Sequence, residues 1–316
     1  MATKIGLGTA AIGRPEYINI RSGEKPEFSL DAFRKRGMDM IHTAYEMGIR
    51  YFDTAPGYGM AEQLLIDWSH DKVDERLEIA TKWGYTYTAG FDPDAKVHEV
   101  KEHSLAKLNE QWKQSKSLLP LLTTYQIHSA TFETGVLENE AILNRLSELK
   151  GEYGILIGLT ASGANQVEVI KRSLDIEVDG ELLFDVFQVT YNIFDQSIAT
   201  LSNQFELNKR RLVIKEAMAN GRIFPNERYP HYQTAYNQLA NLADKYNVGI
   251  DAIALRYCID SIPSFKVLSG AAVKEHLMDN LKAETFQLTP HDVEALNELA
   301  SSPQHYWDER KQLDWN

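Results

Sequence analysis

Lys82 closes the short apolar run Ile79-Ala-Thr-Lys-Trp83, a place where a lysine needs a partner. Twenty-nine residues upstream, Tyr51-Phe-Asp-Thr-Ala-Pro-Gly-Tyr58 carries Asp53 and Tyr58; further on, Thr124-Tyr-Gln-Ile-His128 ends in a histidine. Asp53, Lys82 and His128 each lie at or just past the end of a β-branched, apolar segment that reads as a strand, and Tyr58 falls on the loop after the first. Twenty-nine residues is one strand-plus-helix unit, so these side chains are expected at the carboxyl ends of neighbouring parallel strands. Together they suit proton exchange with an oxygen. A free phenol has a pKa near 10, and a nearby ammonium is expected to lower it. An aspartate behind the lysine keeps it charged and aimed. A histidine can hold a carbonyl or help pass the proton. The group supplies no hydride, so a cofactor must.

Each residue alone has a bland explanation. Asp53 could cap the Thr54–Gly57 turn, Tyr58 could pack on a rim, and His128 could be a satisfied core histidine. The joint pattern favours chemistry. A metal centre fares poorly, because lysine and tyrosine are weak ligands and no His-x-His or His-x-x-x-His pair occurs. Gly6-Leu-Gly8 is a tight strand end and lacks the Gly-x-Gly-x-x-Gly of a dinucleotide-binding turn.

Eight strands are expected, near Ile5–Leu7, Tyr51–Phe52, Leu77–Ala80, Thr124–Ile127, Ile155–Leu159, Val186–Val189, Leu212–Ile214 and Val267–Leu268. Several are almost continuously apolar, as in a parallel sheet buried on both faces. Helical segments alternate with them. The first has Ser29 as N-cap, buries Phe33, Met40, Ile41 and Ala44 at helical spacing, and stops at Gly48; the last starts at Thr289-Pro290. The expected fold is a single α/β domain over residues 1–316, a (β/α)8 TIM barrel. Three segments exceed the unit length: Gly84–Lys96, Ala130–Asn139 and Asn220–Tyr232. At this face of a barrel they are expected to form binding walls or a lid.

The stretch Gly48-Ile-Arg-Tyr-Phe-Asp-Thr-Ala-Pro-Gly-Tyr-Gly59, followed by Glu62, resembles the strand-two signature of the aldo-keto reductases, and Ala80-Thr-Lys82 and Ile127-His128 continue the match. The resemblance runs from Ile5 to Ala300. It implies an NAD(P)-dependent oxidoreductase interconverting a carbonyl (aldehyde, ketone or aldose) and an alcohol. Tyr58 would be the general acid/base tuned by Lys82 and Asp53, with His128 orienting the carbonyl.

It also implies a cofactor across the barrel mouth. Thr160, Ser162 and Gln188 stand where the family holds the carboxamide, although Ala161 replaces its usual asparagine. Lys215 replaces the aromatic on which the nicotinamide stacks. Met218 and the segment through Gly221 and Arg222 would lie near the pyrophosphate. Ser269, Gly270, Lys274, His276, Asp279 and Asn280 would hold the adenosine end, where His276 replaces a frequent arginine. NADP(H) is favoured, with NAD(H) also possible. Tyr17, Trp83, Tyr85 and Tyr191 are expected to line the substrate opening, and Trp307 and Trp315 belong to a tail that covers it or packs elsewhere.

Composition sets outer limits. Hydrophobic residues make up 43% of 316, enough for a large core, and no linker-like tract divides the chain. A formal net charge of −12, with no long basic block, argues against nucleic acid and anionic membranes as partners. The single cysteine, Cys258, permits no internal disulfide and reads as core packing. With no signal-like start and no long apolar run, a cytoplasmic protein acting on small molecules is expected. Two other readings stand beside the enzyme: a cofactor-binding regulatory subunit of the same fold, like the potassium-channel β-subunits, and, more distantly, a metal-dependent barrel hydrolase.

Overall fold

The computed structural model describes residues 3–16, 19–20, 28–92 and 94–315. Eight parallel strands close into a barrel: β1 (Ile5–Gly8), β2 (Tyr51–Asp53), β3 (Glu78–Trp83), β4 (Leu122–Ile127), β5 (Leu156–Thr160), β6 (Val186–Thr190), β7 (Arg211–Lys215) and β8 (Lys266–Ser269). Each strand pairs with its sequence neighbours, and β8 pairs with β1. All eight expected strands are present. Near-continuous apolar runs mark them because helices cover the outside and side chains fill the inside.

The outer layer is α1 (Leu30–Glu46), α2 (Ala61–Ser69), α3 (Leu105–Ser115), α4 (Glu140–Tyr153), α5 (Gln166–Leu174), α6 (Ser202–Leu207), α7 (Gln233–Tyr246), α8 (Ile250–Asp260) and α9 (Lys274–Leu281). Two further helices follow, α10 (Pro290–Asn297) and α11 (Pro303–Arg310). Ser29 caps α1 as expected, its hydroxyl accepting from Ala32 N. Met40, Ile41 and Ala44 are buried; Phe33 is only half-buried, against Phe28. Thr289 and Asp292 form a reciprocal capping box on α10. That helix is not the last, however. Ser302 caps α11, which carries the same Pro-at-start signature.

Inside the barrel the floor is apolar, built from Tyr51, Ala80, Val186, Val213 and Leu268. The layer above is polar. Lys82 pairs in register with Gln126, and Thr160 pairs with Gln188. Alternation along each strand then sends Lys82, Gln126 and Gln188 inward and their odd-numbered neighbours outward. Gly158 admits this layer: a Cβ there would meet Val186 O at 2.7 Å and Gln126 Cγ at 3.0 Å.

Of the three long segments, the first is a β-hairpin arm: Tyr85–Tyr87 pairs antiparallel with Glu99–Lys101. The other two contain only short 3-10 turns, Phe132–Thr134 in one, and the end of Ala219–Gly221 with Pro230–Tyr232 in the other. Among the described residues, no helix is long and apolar enough to cross a membrane.

Candidate active site

The four residues singled out at the strand ends converge at the carboxyl end of the barrel. Lys82 Nζ donates to Asp53 Oδ2 at 2.5 Å and to the Thr54 carbonyl at 3.0 Å. It lies 4.7 Å from the centre of the Tyr58 ring. The rings of Tyr58 and His128 meet edge to face at 5.4 Å. Lys82 is fully buried and Asp53 nearly so, which a charged pair tolerates only with its hydrogen bonds satisfied. They are satisfied here, since Gln188 Nε2 donates to the other Asp53 oxygen at 2.7 Å.

Tyr58 is held by a close backbone approach. Met60 N donates to the Gly13 carbonyl at 2.8 Å, and a Cβ on Gly13 would lie 2.1 Å from Tyr58 O. Only glycine fits there. Arg14, the next residue, donates to the Gly57 carbonyl at 3.0 Å and to Glu99 of the hairpin arm at 2.6 Å. Its guanidinium stands 5.4 Å from the Tyr58 ring. Arg14 thus ties the Tyr58 loop to the arm. Nothing in the sequence marks this role, because its partners are 43 and 85 residues away.

The protonation states differ from expectation in one respect. Burial and the Asp53 carboxylate hold the Tyr58 phenol well above its ordinary value, against the pull of Arg14. The net direction is thus opposite to the lowering expected from a nearby ammonium, because burial and the Asp53 charge dominate. Tyr58 therefore carries its proton at neutral pH. Burial, with Lys82 and Arg14, drives His128 well below the usual imidazole range, so it is neutral. Its Nδ1 is buried and has no partner among the described residues. A second histidine, His103, donates from Nε2 to the His128 carbonyl at 2.9 Å. The sequence reading did not single it out.

The expected substrate wall is partly corrected. Tyr85 does lie over the site, its ring 4.6 Å from that of His128. Trp83 and Tyr191 do not line the opening. Each follows an inward residue on its strand, so each points outward into the helix layer. Trp83 is fully buried, its ring on His103. Tyr191 stacks on Tyr257, with its hydroxyl on Tyr257 and Ser261. Tyr17 lies outside the described residues. Trp315 stacks on His98 at 4.5 Å and lies 4.9 Å from the Arg14 guanidinium, beside the hairpin arm. Trp307 packs elsewhere, its indole N–H on buried Asp195 at 3.0 Å.

Residues expected at the cofactor form two polar groups. Beside the four, Lys215 Nζ donates to Ser162 Oγ at 2.9 Å and Thr190 Oγ1 at 2.8 Å, and Thr160 Oγ1 accepts from Ser129 N at 2.7 Å. Burial lowers the Lys215 pKa to about 8, while Glu216 opposes the shift. Gln188 is engaged with Asp53. Met218 is half-buried against the core, and Gly221, at φ +89°, packs under Ile20. Arg222 is not available to phosphate: it is fully buried on Ala219 O, Tyr306 O and Glu309.

The second group lies at β8 and α9. Ser269 is buried, and its hydroxyl is 2.7 Å from Asn280, whose amide can also donate to Asp251 and the His276 carbonyl. Gly270 is exposed, with open space where a side chain would stand. Lys274 and His276 are exposed in the first turn of α9, and Asp279 is paired with Lys282 at 2.7 Å. Hydroxyl and ammonium groups at one end, with a glycine gap and a helix N-terminus at the other, fit a nicotinamide dinucleotide.

The family model described as the aldo/keto reductase family matches residues 4–301. The chain belongs to this family of oxidoreductases. It is 26% identical to the NADH-specific methylglyoxal reductase of Escherichia coli, over 95% of each chain. It is 23% identical to pyridoxal 4-dehydrogenase of Microbacterium luteolum, over 88% of each. In fold it resembles the glycerol dehydrogenase of Gluconobacter oxydans (TM-score 0.70, 20% identity, covering 94% of this chain and 91% of that one). An aldo-keto reductase from Bacillus halodurans in its holo form agrees as well (TM-score 0.70, 20% identity, covering 95% and 93%). An aldo-keto reductase of this kind is an enzyme, and the family's nicotinamide cofactor and small carbonyl substrates suit the groups found at the mouth.

Proposed function

We propose that this aldo-keto reductase reduces a small aldehyde or ketone to the alcohol, and that Tyr58 delivers the proton. The observation that carries the reading is the convergence of Lys82, Asp53, Tyr58 and His128 at the barrel mouth. When bound, the nicotinamide cofactor supplies the hydride. Tyr58, protonated at neutral pH, gives its proton to the carbonyl oxygen as negative charge develops there. The buried Lys82–Asp53 pair fixes the field beneath the phenol and carries no net charge of its own. Neutral His128, its ring edge to face with that of Tyr58, would orient the carbonyl by donating from a ring N–H. Tyr85, Arg14 and Trp315 exclude water from one side.

Thr160, Ser162 and Lys215 would hold the nicotinamide end, and Gly270 with the first turn of α9 the adenosine phosphates. The expected preference for NADP(H) rests on Lys274 and His276, but Glu275 stands between them and Asp279 follows. One relative is NADH-specific by name. Both cofactors therefore bind, with NADP(H) ahead by less than about tenfold, roughly 1.4 kcal/mol. The relatives named above give no support to a purely regulatory cofactor-binding role.

The test is cofactor titration by fluorescence, followed by turnover on a panel of small carbonyls that includes methylglyoxal, with Tyr58→Phe as the control. The variant should bind cofactor normally and lose about 10²–10⁴-fold in rate, the usual contribution of a positioned acid. Near-normal turnover by Tyr58→Phe would remove Tyr58 from the role.

A further inference from the structure

We propose that His231, His305 and Glu309 form a site for a zinc-class divalent cation that fastens helix α11 to the turn following β7. His305 and Glu309 stand four residues apart on one face of α11, and His231 approaches from the 3-10 turn Pro230–Tyr232. Their candidate ligand atoms all lie within 4.8 Å of one another. His231 Nε2 is 2.7 Å from Glu309 Oε1, and His305 Nε2 is 3.4 Å from the same oxygen. Two imidazoles thus converge on one carboxylate oxygen, and only one of them is within a good hydrogen bond of it.

Zinc bonds of about 2.0–2.2 Å to nitrogen and oxygen place tetrahedral ligand atoms about 3.3 Å apart. The existing spacing brackets that value. Both histidine side chains are about half exposed, at 46% and 54%, so small rotations close the remaining gap. The carboxylate is already aimed. Its other oxygen, Oε2, accepts from Tyr232 at 2.5 Å and from Arg222 at 3.1 Å, which leaves Oε1 for the cation and fixes its direction.

The ligand set also selects the metal. Arg222, at 3.1 Å from Oε2, offsets part of the carboxylate charge, so two imidazole nitrogens and one carboxylate oxygen would hold the cation, with water completing the shell. Zn2+, Co2+, Ni2+ and Cu2+ bind such a set; Mg2+ and Ca2+, which need several anionic oxygens, do not. The cluster shares no residue with Asp53, Tyr58, Lys82 or His128, and its role is structural. It cross-links positions 231 and 309, and through Arg222 on the Ala219 carbonyl it reaches the loop after β7. Sequence inspection misses it because His-x-x-x-Glu is not a metal signature by itself and its third ligand lies 74 residues away.

The full-length chain, free of any histidine tag and treated with chelator, should bind one equivalent of Zn2+ by calorimetry. Co2+ should give the visible absorption of a four-coordinate site with nitrogen and oxygen ligands. His231→Ala and His305→Ala should each weaken binding by about tenfold or more, and the double variant should lose it. Zn2+ should raise the melting temperature of the wild type and leave that of the double variant unchanged. Glu309 is left intact because it also holds buried Arg222; the half-exposed histidines can be removed without that cost, as equal metal-free melting temperatures would verify. Equal Zn2+ binding by the wild type and the double variant, or no binding by the wild type, would overturn the proposal.

Discussion

At the residue scale, the site was legible wherever a polar side chain ended an apolar strand. Asp53, Lys82 and His128 violate the expectation for a buried strand end, and such violations point to chemistry or to a pair. The outward placement of Trp83 and Tyr191 is also written in the sequence. If Lys82 points into the barrel, the residue after it points out, and the same holds past Thr190. Arg14 and His103 carry no comparable signal, since their meaning lies in partners far along the chain. The Lys82–Asp53 pair permits a sharp prediction. Lys82→Met leaves a buried carboxylate unpaired, which costs about 3–5 kcal/mol of stability by urea unfolding. Adding Asp53→Asn should restore part of that loss and reduce kcat/KM little further, because the pair acts as one unit. Independent, multiplying losses in the double variant would mean the two residues do not work together.

At the scale of elements, the strands were readable because parallel strands buried on both faces are apolar throughout. The arm Tyr85–Tyr87/Glu99–Lys101 was not, since its strands are short, polar and half exposed and resemble loop. Helix α11 has little sequence signal beyond its Ser-Pro start, because it has no apolar stripe of its own. The arm and the tail meet where Trp315 lies on His98 and Arg14. Trp315 meets His98 and Arg14, while the polar and ring contacts of Asp53, Tyr58, Lys82 and His128 among the described residues do not include it. Trp315→Ala should therefore raise KM a few-fold and leave kcat nearly unchanged, as for about 1 kcal/mol of uniform binding. An equal fall in kcat would place Trp315 in the reacting geometry.

Helix α11 is also anchored by Arg310, which makes a bidentate pair with Glu216 at 2.6 and 3.0 Å. Burial alone would raise the Glu216 pKa, but Arg310 and Lys215 bring it from 4.5 down to about 2. A carboxylate with a depressed folded value stabilises fully above its unfolded value and loses that contribution as pH falls toward the folded one. The window is pH 4.5 to 2, and the contribution is on the order of 3 kcal/mol. Over that range the wild type should lose stability faster than Glu216→Gln; parallel melting curves would refute the coupling.

At the scale of the whole molecule, composition restricted the class of partner without naming one. A net charge of −12 sets a repulsive field for any anionic ligand, and a dinucleotide with an extra phosphate feels it most. What opposes that field is local: exposed Lys274 and His276 at the start of α9, without the arginine fork that makes phosphate recognition sharp. The two terms respond differently to salt. Raising ionic strength from about 0.01 M to 0.15 M shortens the screening length from roughly 30 Å to 8 Å. Distant carboxylates are then screened, while a lysine in contact with the phosphate keeps most of its hold. The ratio of dissociation constants, NAD(H) over NADP(H), should therefore rise with salt in the wild type. In Lys274→Ala the ratio should fall toward or below one at every salt concentration. A ratio that drops with salt in the wild type, or one indifferent to Lys274→Ala, would show that the extra phosphate is bound by other residues.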